Sequence, residues 1–142
     1  MFSFKILIIE DNKADVFMIT EALESSSLTY DQDVVTDGQA ALDYFFLKAN
    51  SLKKNVPDFI LLDLNIPKYS GFEILKILKS NHELKAIPII VFTGSVAQTD
   101  VQNSYRNYAN CYIQKPDEAQ DFIEAIAKIE GFWLKFANLP KS

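Results

Sequence analysis

Apolar segments rich in β-branched or aromatic residues recur five times along the chain, and segments with helical spacing separate them. Nearly continuous apolar runs are typical of strands buried on both faces of a parallel sheet. The predicted strands are Phe4–Ile9, Asp31–Thr36, Phe59–Leu62, Ile89–Phe92 and Cys111–Ile113. The predicted helices are Ala14–Glu24, Ala40–Lys48, Phe72–Leu78, Val96–Tyr108 and Asp117–Phe136. This alternation predicts an α/β fold with a single doubly wound five-stranded parallel sheet and five helices.

Glycine and proline punctuate this pattern at the joints between elements. Pro57 and Pro88 precede predicted strands, whereas Gly71 and Gly94 follow them. Both residue types destabilise the interior of helices and strands, so their positions support the predicted boundaries. The longest polar loop is predicted at Asn50–Val56.

Composition excludes several classes of protein. The chain has 142 residues, of which 49% are hydrophobic, so one domain with a substantial core is expected. No apolar run approaches the roughly 18 residues of a membrane span, and the first residues lack the features of a signal peptide. A single cysteine, Cys111, excludes an internal disulfide, and a single histidine, His82, excludes multi-histidine metal sites. A cytoplasmic location is therefore expected.

The charge balance is acidic. Nineteen acidic and fourteen basic side chains give a net charge of -5 and a pI near 4.8. A protein that binds nucleic acid non-specifically would carry the opposite charge. We therefore expect no direct contact with nucleic acid.

Four of the predicted strands run directly into hydrophilic sequence. The four polar segments after these strands are Glu10-Asp11-Asn12, Asp63-Leu64-Asn65, Thr93-Gly94-Ser95 and Gln114-Lys115-Pro116. They all lie at carboxyl ends, which share one edge of a parallel sheet, and this edge is where such sheets bind ligands. Each polar segment alone can be explained as a helix cap or a turn, so the functional interpretation depends on the four segments together.

The combination suits phosphoryl chemistry. Crowded carboxylates raise one another's pKa, and a hard dication such as Mg²⁺ relieves their repulsion. A lysine and a hydroxyl are suitable partners for phosphoryl oxygens. An aspartate can itself serve as the nucleophile that accepts the phosphoryl group.

In this order and spacing, the polar segments and the strands before them resemble the motifs of the receiver domains of two-component response regulators. The resemblance runs from Lys5 to about Ile129 and rests on four motifs. These motifs are Ile8–Asn12, Leu61–Pro67, Val91–Gly94 and Tyr112–Pro116. It implies a flavodoxin-like sheet of order 2-1-3-4-5 and a protein that accepts a phosphoryl group from a sensor histidine kinase. It also implies signalling through protein contacts or onward phosphotransfer, without an output domain and without enzymatic turnover of a metabolite.

The resemblance further implies a role for each site residue. Asp63 is expected to be the phosphoacceptor, with Mg²⁺ held by Asp11, Asp63 and the backbone carbonyl of Asn65, and by Glu10 mainly through a water. Phosphoryl oxygens are expected to contact four residues: Lys115, Thr93, Gly94 and Asn65. Thr93 and Tyr112 are expected to form the conformational switch, in which the Thr93 hydroxyl gains a charged partner only on phosphorylation. The Lys115–Pro116 bond is expected to be cis.

The last residues of the chain resemble one particular group of receivers. Residues 129–134 and 139–140 are similar to stand-alone receivers that partner phytochrome-type histidine kinases. We expect a receiver over residues 1–130 and an extension over 131–142, in which Gly131 breaks or bends the last helix. The extension should pack on the domain or at a dimer interface.

A homodimer is predicted from the aromatic residues near this extension. Trp133 and Phe136 continue the heptad-like spacing of the last helix, while Val101, Tyr105 and Tyr108 are predicted on one face of the fourth helix. The predicted interface comprises the fourth helix, the fifth strand, the last helix and the aromatic tail.

Two other classes share parts of this pattern. A small Mg²⁺-dependent phosphohydrolase would also use an aspartyl nucleophile, but that class usually has a second aspartate where this chain has Asn65. A flavodoxin-like redox carrier would need a phosphate-cradling Gly/Ser/Thr loop after the first strand, and Glu10-Asp11-Asn12 does not provide one. The phosphoacceptor interpretation is therefore preferred.

Overall fold

The computed structural model of the chain describes residues 3–47 and 56–140. Within these residues, five strands alternate with five helices, and a π-helix follows the last of them. The strands are β1 (Ser3–Ile9), β2 (Thr29–Val35), β3 (Phe59–Leu62), β4 (Ile89–Thr93) and β5 (Cys111–Gln114). The helices are α1 (Lys13–Glu24), α2 (Gly38–Phe46), α3 (Gly71–Ser80), α4 (Gln98–Arg106), α5 (Ala119–Ile129) and the π-helix Glu130–Phe136.

The strands form one sheet of order β2-β1-β3-β4-β5, which confirms the predicted topology. All neighbouring pairs are parallel, with Ile9 opposite Leu62 and Leu62 opposite Val91 in the central register. The carboxyl ends of all five strands therefore lie at one edge, and the strand order reverses between β1 and β3. Ligands bind at such a switch point in open α/β sheets.

Alternate residues of the strands supply two separate cores. Leu7 and Ile9 of β1 join one cluster, which also contains buried residues of α2 and α3. Ile6 and Ile8 join the other cluster, which includes residues of α1 and α5. Because both faces of the sheet are covered, β3 and β4 carry no polar residue before the carboxyl edge.

The N-terminal boundaries of three helices follow from their caps. The side chains of Asn12, Asp37 and Ser70 accept hydrogen bonds from backbone N–H groups in the first turns of α1, α2 and α3. Such caps satisfy donors that would otherwise have no partner. The loop predicted at Asn50–Val56 lies outside the described residues, apart from Val56.

The fourth helix is shorter than predicted. It ends at Arg106, and Tyr108 follows in the left-handed region with a φ of 69°. The N–H groups of Tyr108 and Ala109 donate to the carbonyls of Tyr105 and Ser104, each at 3.0 Å, which closes the helix with a Schellman motif. The prediction that Tyr108 lies on one helical face with Val101 and Tyr105 is therefore wrong.

The last helix does not break at Gly131. The chain widens from α5 into the π-helix, and a Cβ at Gly131 would have nothing within 4 Å. The wider turn keeps Leu134 buried and holds the Trp133 ring 6.4 Å from the ring of Phe59. Packing of these apolar side chains on the core offsets the conformational freedom of the glycine.

Within residues 3–47 and 56–140, every helix lacks the length or the apolar character that a membrane crossing requires.

Candidate functional site

The predicted site residues converge at the carboxyl edge of the sheet. Glu10 and Asp11 follow β1, Asp63 follows β3, Thr93 ends β4, and Lys115 follows β5. They surround a cleft of about 430 Å³, whose lining residues are Asp11, Asn12, Asp15, Met18, Asp63, Asn65, Gly94, Lys115, Pro116, Asp117 and Phe122. The structure thus confirms that the polar segments after these four strands lie at one edge of the sheet.

Asp63 occupies the centre of the arrangement and is only 7% exposed. Its Oδ1 atom accepts hydrogen bonds from the Thr93 hydroxyl at 2.7 Å and from the Asn65 backbone N–H at 3.2 Å. Its Oδ2 atom accepts one from the Lys115 ammonium at 2.9 Å. Burial pushes the pKa of Asp63 up, but the bonds from Thr93 and Lys115 outweigh burial and hold the pKa below its ordinary value.

The Lys115 ammonium contacts three carboxylates at once. It pairs with Asp15 at 2.8 Å, with Asp63 at 2.9 Å and with Glu10. Burial alone would lower the pKa of Lys115, but the three carboxylates hold it above its ordinary value. Lys115 is therefore a permanent cation at neutral pH and offsets part of the negative charge of the cluster.

Glu10 is the most deeply buried carboxylate of the site, with 2% exposure. Its Oε2 atom accepts a hydrogen bond from the Asn12 backbone N–H at 3.2 Å. Burial raises the pKa of Glu10 to about 7, against the lowering effect of the Lys115 ammonium. The neighbouring Asp63 carboxylate raises the pKa of Glu10 further, and a bound cation would oppose both effects.

The donor set fits a divalent cation. One oxygen each from Glu10, Asp11 and Asp63 can lie within 4.8 Å of one another, and Asp11 is exposed to solvent. All-oxygen ligation with an open, hydrated side is the arrangement that Mg²⁺ favours, and Mn²⁺ accepts similar ligands. Asn65 lines the same cleft, so its main chain is close to the cluster.

The loop after β3 is fixed by close backbone packing. The Gly71 N–H donates to the Leu64 carbonyl at 2.8 Å, and the Gly38 N–H donates to the Pro67 carbonyl at 3.0 Å. A Cβ at Gly71 would lie 2.4 Å from the Asp63 carbonyl oxygen and 2.5 Å from the Leu64 Cα. Glycine is therefore required at this position to bring α3 against the segment that carries Asp63.

The predicted switch residues lie on one side of the cleft. Thr93 is fully buried, and a Cβ at Gly94 would have nothing within 4 Å. The Tyr112 hydroxyl donates to the Ser95 carbonyl at 3.0 Å, and the Tyr112 backbone N–H donates to the Tyr105 hydroxyl at 3.0 Å. Tyr112 therefore links β5 to the loop after β4 and to α4.

Two expectations need correction. The Thr93 hydroxyl was expected to gain a charged partner only on phosphorylation, but it already donates to Asp63, because both side chains are buried at the ends of neighbouring strands. The Lys115–Pro116 bond was expected to be cis, but the described residues contain no cis peptide bond. The trans form is the more stable one even before proline, and Lys115 reaches the carboxylates from it.

Sequence analysis missed one residue of the site. Asp15 lies in the first turn of α1 and pairs directly with Lys115, although a hundred positions separate them. The available signal is its position four residues after Asp11, at the start of the predicted helix Ala14–Glu24.

Comparison with known proteins identifies the same family that the sequence motifs resemble. The family described as the response regulator receiver domain matches residues 6–127. The response regulator Rcp1 of Synechocystis sp. is 38% identical over 135 residues, which cover 95% of this chain and 92% of that protein.

Two solved structures are similar over nearly their whole length. The phosphorylated cyanobacterial phytochrome response regulator RcpA is 40% identical, with a TM-score of 0.90, and the match covers 99% of this chain and all of that one. The Mn²⁺-bound form of the response regulator Rcp1 is 38% identical, with a TM-score of 0.88, and the match covers 97% of this chain and 99% of that one.

Proposed function

The chain belongs to the response regulator receiver domain family, and on that premise we propose that Asp63 accepts a phosphoryl group from a sensor histidine kinase. The observation that carries this proposal is the environment of Asp63. Its carboxylate borders an open cleft, is kept ionised, and touches both a buried hydroxyl and a buried ammonium. The family relationship favours a signalling protein over the alternative of a small Mg²⁺-dependent phosphohydrolase.

In the proposed reaction, an Asp63 carboxylate oxygen attacks the phosphorus of a phosphohistidine. A P–O bond forms, the P–N bond breaks, and the departing imidazole takes up a proton. Thr93, Lys115 and the Gly94 N–H then contact phosphoryl oxygens, and Asn65 borders the same space. Thr93 and Lys115 already contact Asp63 before the transfer, so both lie beside the oxygens that arrive.

The direct experiment uses a small phosphodonor. Wild-type protein incubated with Mg²⁺ and acetyl phosphate should gain the mass of one phosphoryl group, and acid treatment should remove the group. A phosphohydrolase would instead release inorganic phosphate continuously and show no lasting adduct. Absence of any adduct in the wild-type protein would contradict the proposed function.

We propose Mg²⁺ as the resident cation. Glu10, Asp11, Asp63 and the Asn65 carbonyl would hold it, with Glu10 acting mainly through a water. The cation would supply charge neutralisation for the incoming phosphoryl oxygens. The all-oxygen donor set supports this assignment.

Mg²⁺ should stabilise the protein, and Asp11→Ala should abolish the effect. A ligand that binds only the native state adds about 1.4 kcal/mol of stability when its concentration is ten times Kd. The melting temperature of the wild type should therefore rise with Mg²⁺ concentration, as measured by thermal unfolding. Asp117→Ala, which removes a carboxylate of the same cleft outside the cation cluster, should respond like the wild type. A full response in Asp11→Ala would contradict the ligand assignment.

Thr93 and Tyr112 are the proposed switch. The Thr93 hydroxyl, which donates to Asp63 at rest, would donate to a phosphoryl oxygen after transfer. The Tyr112 hydroxyl would leave the Ser95 carbonyl as the loop after β4 moves, and the ring would turn inward. The bond from Tyr112 to Ser95 supports this role because it ties the side chain to the residue two positions after Thr93.

The partner is proposed to be a phytochrome-type histidine kinase, since the similar structures include a phytochrome response regulator. We further propose a cytoplasmic location, which the single free cysteine, Cys111, supports. Residues 1–130 are proposed as the phosphoacceptor domain and 131–142 as an extension. The packing of Trp133 and Leu134 against the core supports an extension that folds back on the domain.

A homodimer formed by α4, β5, α5 and the π-helix is the proposed assembly. Large aromatic side chains remain exposed on these elements, including Phe136 at 80% and Phe132 at 52%. Buried aromatic side chains often dominate protein interfaces. Trp133 was also expected at the interface; its ring packs against Phe59 of its own chain and remains partly exposed.

Phe136→Ala should therefore shift the protein from dimer to monomer. Sedimentation at micromolar concentration measures the shift, and loss of one such aromatic contact weakens association by about tenfold or more. Phe46→Ala removes an exposed ring from α2, which is not one of the elements of the proposed surface, and should leave the dimer intact. A wild-type protein that stays monomeric with and without beryllofluoride would contradict the dimer.

A further inference from the structure

The first turn of α1 fixes the position of Asp15. Its backbone N–H donates to the Asn12 side chain at 3.0 Å, so the helix cap fixes the residue in the first turn. From there its Oδ2 atom reaches the Lys115 ammonium at 2.8 Å. The contact joins the start of α1 to the end of β5 across the cleft.

The Lys115 ammonium has no spare donor. A lysine ammonium carries three N–H groups, and carboxylates of Glu10, Asp15 and Asp63 accept all three. A phosphoryl oxygen can therefore be bound by Lys115 only if one of these carboxylates gives up its hydrogen bond.

The three carboxylates differ in how easily they can be released. The side chains of Glu10 and Asp63 are 3% and 8% exposed, whereas that of Asp15 is 19% exposed and lies at the lining of the cleft. Water can solvate a released Asp15 carboxylate, while a released Glu10 carboxylate would remain buried without its cation. Asp63 becomes an acyl phosphate on transfer, which weakens its bond to Lys115 but brings several phosphoryl oxygens within reach of the same ammonium, so Asp15 competes with them. Asp15 is thus the partner that costs least to displace.

We infer that Asp15 is a positioning residue that occupies the Lys115 ammonium in the resting protein and is displaced from it by the phosphoryl group. This inference rests on the phosphoacceptor role proposed for Asp63. Asp15 holds Lys115 in place at the cleft before transfer and competes with the phosphoryl oxygen for the same proton donor. It therefore limits how readily the site accepts a phosphoryl group.

Removing the carboxylate should increase the affinity for a phosphoryl mimic. In the presence of Mg²⁺, Asp15→Asn should bind beryllofluoride about three- to fivefold more tightly than the wild type, since partly exposed ion pairs have effects of this size. Asp15→Ala, which leaves no acceptor at all, should show a gain at least as large. Asp15→Glu, which restores a carboxylate on a longer side chain, should return towards the wild-type affinity. Calorimetric titration measures the binding, and intact-mass time courses with acetyl phosphate should show faster uptake in the same order.

The matched control is Asp117→Asn. Asp117 lines the same cleft and carries the same charge, but no ion pair to Lys115 is found for it in the described part of the chain. This variant should stay within twofold of the wild type. Thermal unfolding of all variants checks that each is folded, so that a change in beryllofluoride binding can be assigned to the site and not to loss of structure.

Two outcomes would overturn the inference. One is an Asp15→Asn protein that is folded yet binds beryllofluoride no more tightly than the wild type. The other is an equal gain in Asp117→Asn, which would indicate a general effect of net charge. A wild-type protein that takes up neither beryllofluoride nor a phosphoryl group would contradict the proposed function of Asp63 instead, so the two failures are distinguishable.

Discussion

Asp63→Asn should take up no phosphoryl group from acetyl phosphate under conditions in which the wild type gains one. The substitution keeps the shape of the side chain and its acceptor for Thr93, but an amide is not a nucleophile towards phosphorus. Intact-mass measurement after incubation with Mg²⁺ and acetyl phosphate detects the difference as a complete loss of the adduct.

The control for this experiment removes a carboxylate without removing the nucleophile. Asp117→Asn leaves Asp63 untouched and should still gain one phosphoryl group. Thermal unfolding should show that Asp63→Asn is folded. An adduct of unchanged size in Asp63→Asn would mean that the phosphoryl group resides elsewhere.

Gly71→Ala should destabilise the protein by about 2–3 kcal/mol and lower its melting temperature by about 6–10 °C. The added methyl group would lie 2.4 Å from the Asp63 carbonyl oxygen and 2.5 Å from the Leu64 Cα. Both atoms belong to the backbone, so the clash can be relieved only by moving α3 away from the loop that carries Asp63. Phosphoryl uptake should slow together with the loss of stability.

Gly131→Ala is the matched comparison. The same substitution in the π-helix meets no atom within 4 Å, and alanine is the better helix former by about 0.5–1 kcal/mol. Its melting temperature should therefore stay at or slightly above that of the wild type. If both variants melted at the same temperature, the close packing at Gly71 would not be essential to the fold.

Strong local patterns account for what the sequence could predict. The apolar runs of β1, β3 and β4 are buried on both faces of the sheet, so their hydrophobicity identifies them without knowledge of the fold. The polar residues that follow these strands are conspicuous because they end the apolar runs. Since parallel strands share an edge, the convergence of Asp63, Thr93 and Lys115 followed from topology.

The remaining features depend on long-range packing. The position of Asp15 four residues after Asp11 places it near the site, but its contact with Lys115 depends on the angle at which α1 leaves β1. The π-helix replaces a predicted break at Gly131, because burial of Leu134 and Trp133 outweighs the local preference of glycine. Tyr108 leaves the fourth helix in a conformation that glycine usually adopts, and the two backbone hydrogen bonds that hold it there are not visible as a periodic pattern.

The hydrogen bond from the Tyr112 N–H to the Tyr105 hydroxyl has a consequence for the sheet as a whole. β5 is an edge strand, and outward-facing N–H groups of edge strands are templates for pairing with another chain. Here a phenol from α4 occupies one such donor in the middle of a strand of four residues. As long as α4 stays in place, the sheet is protected against the addition of a sixth strand and against edge-to-edge aggregation. Any displacement of α4 that withdraws Tyr105 exposes that donor.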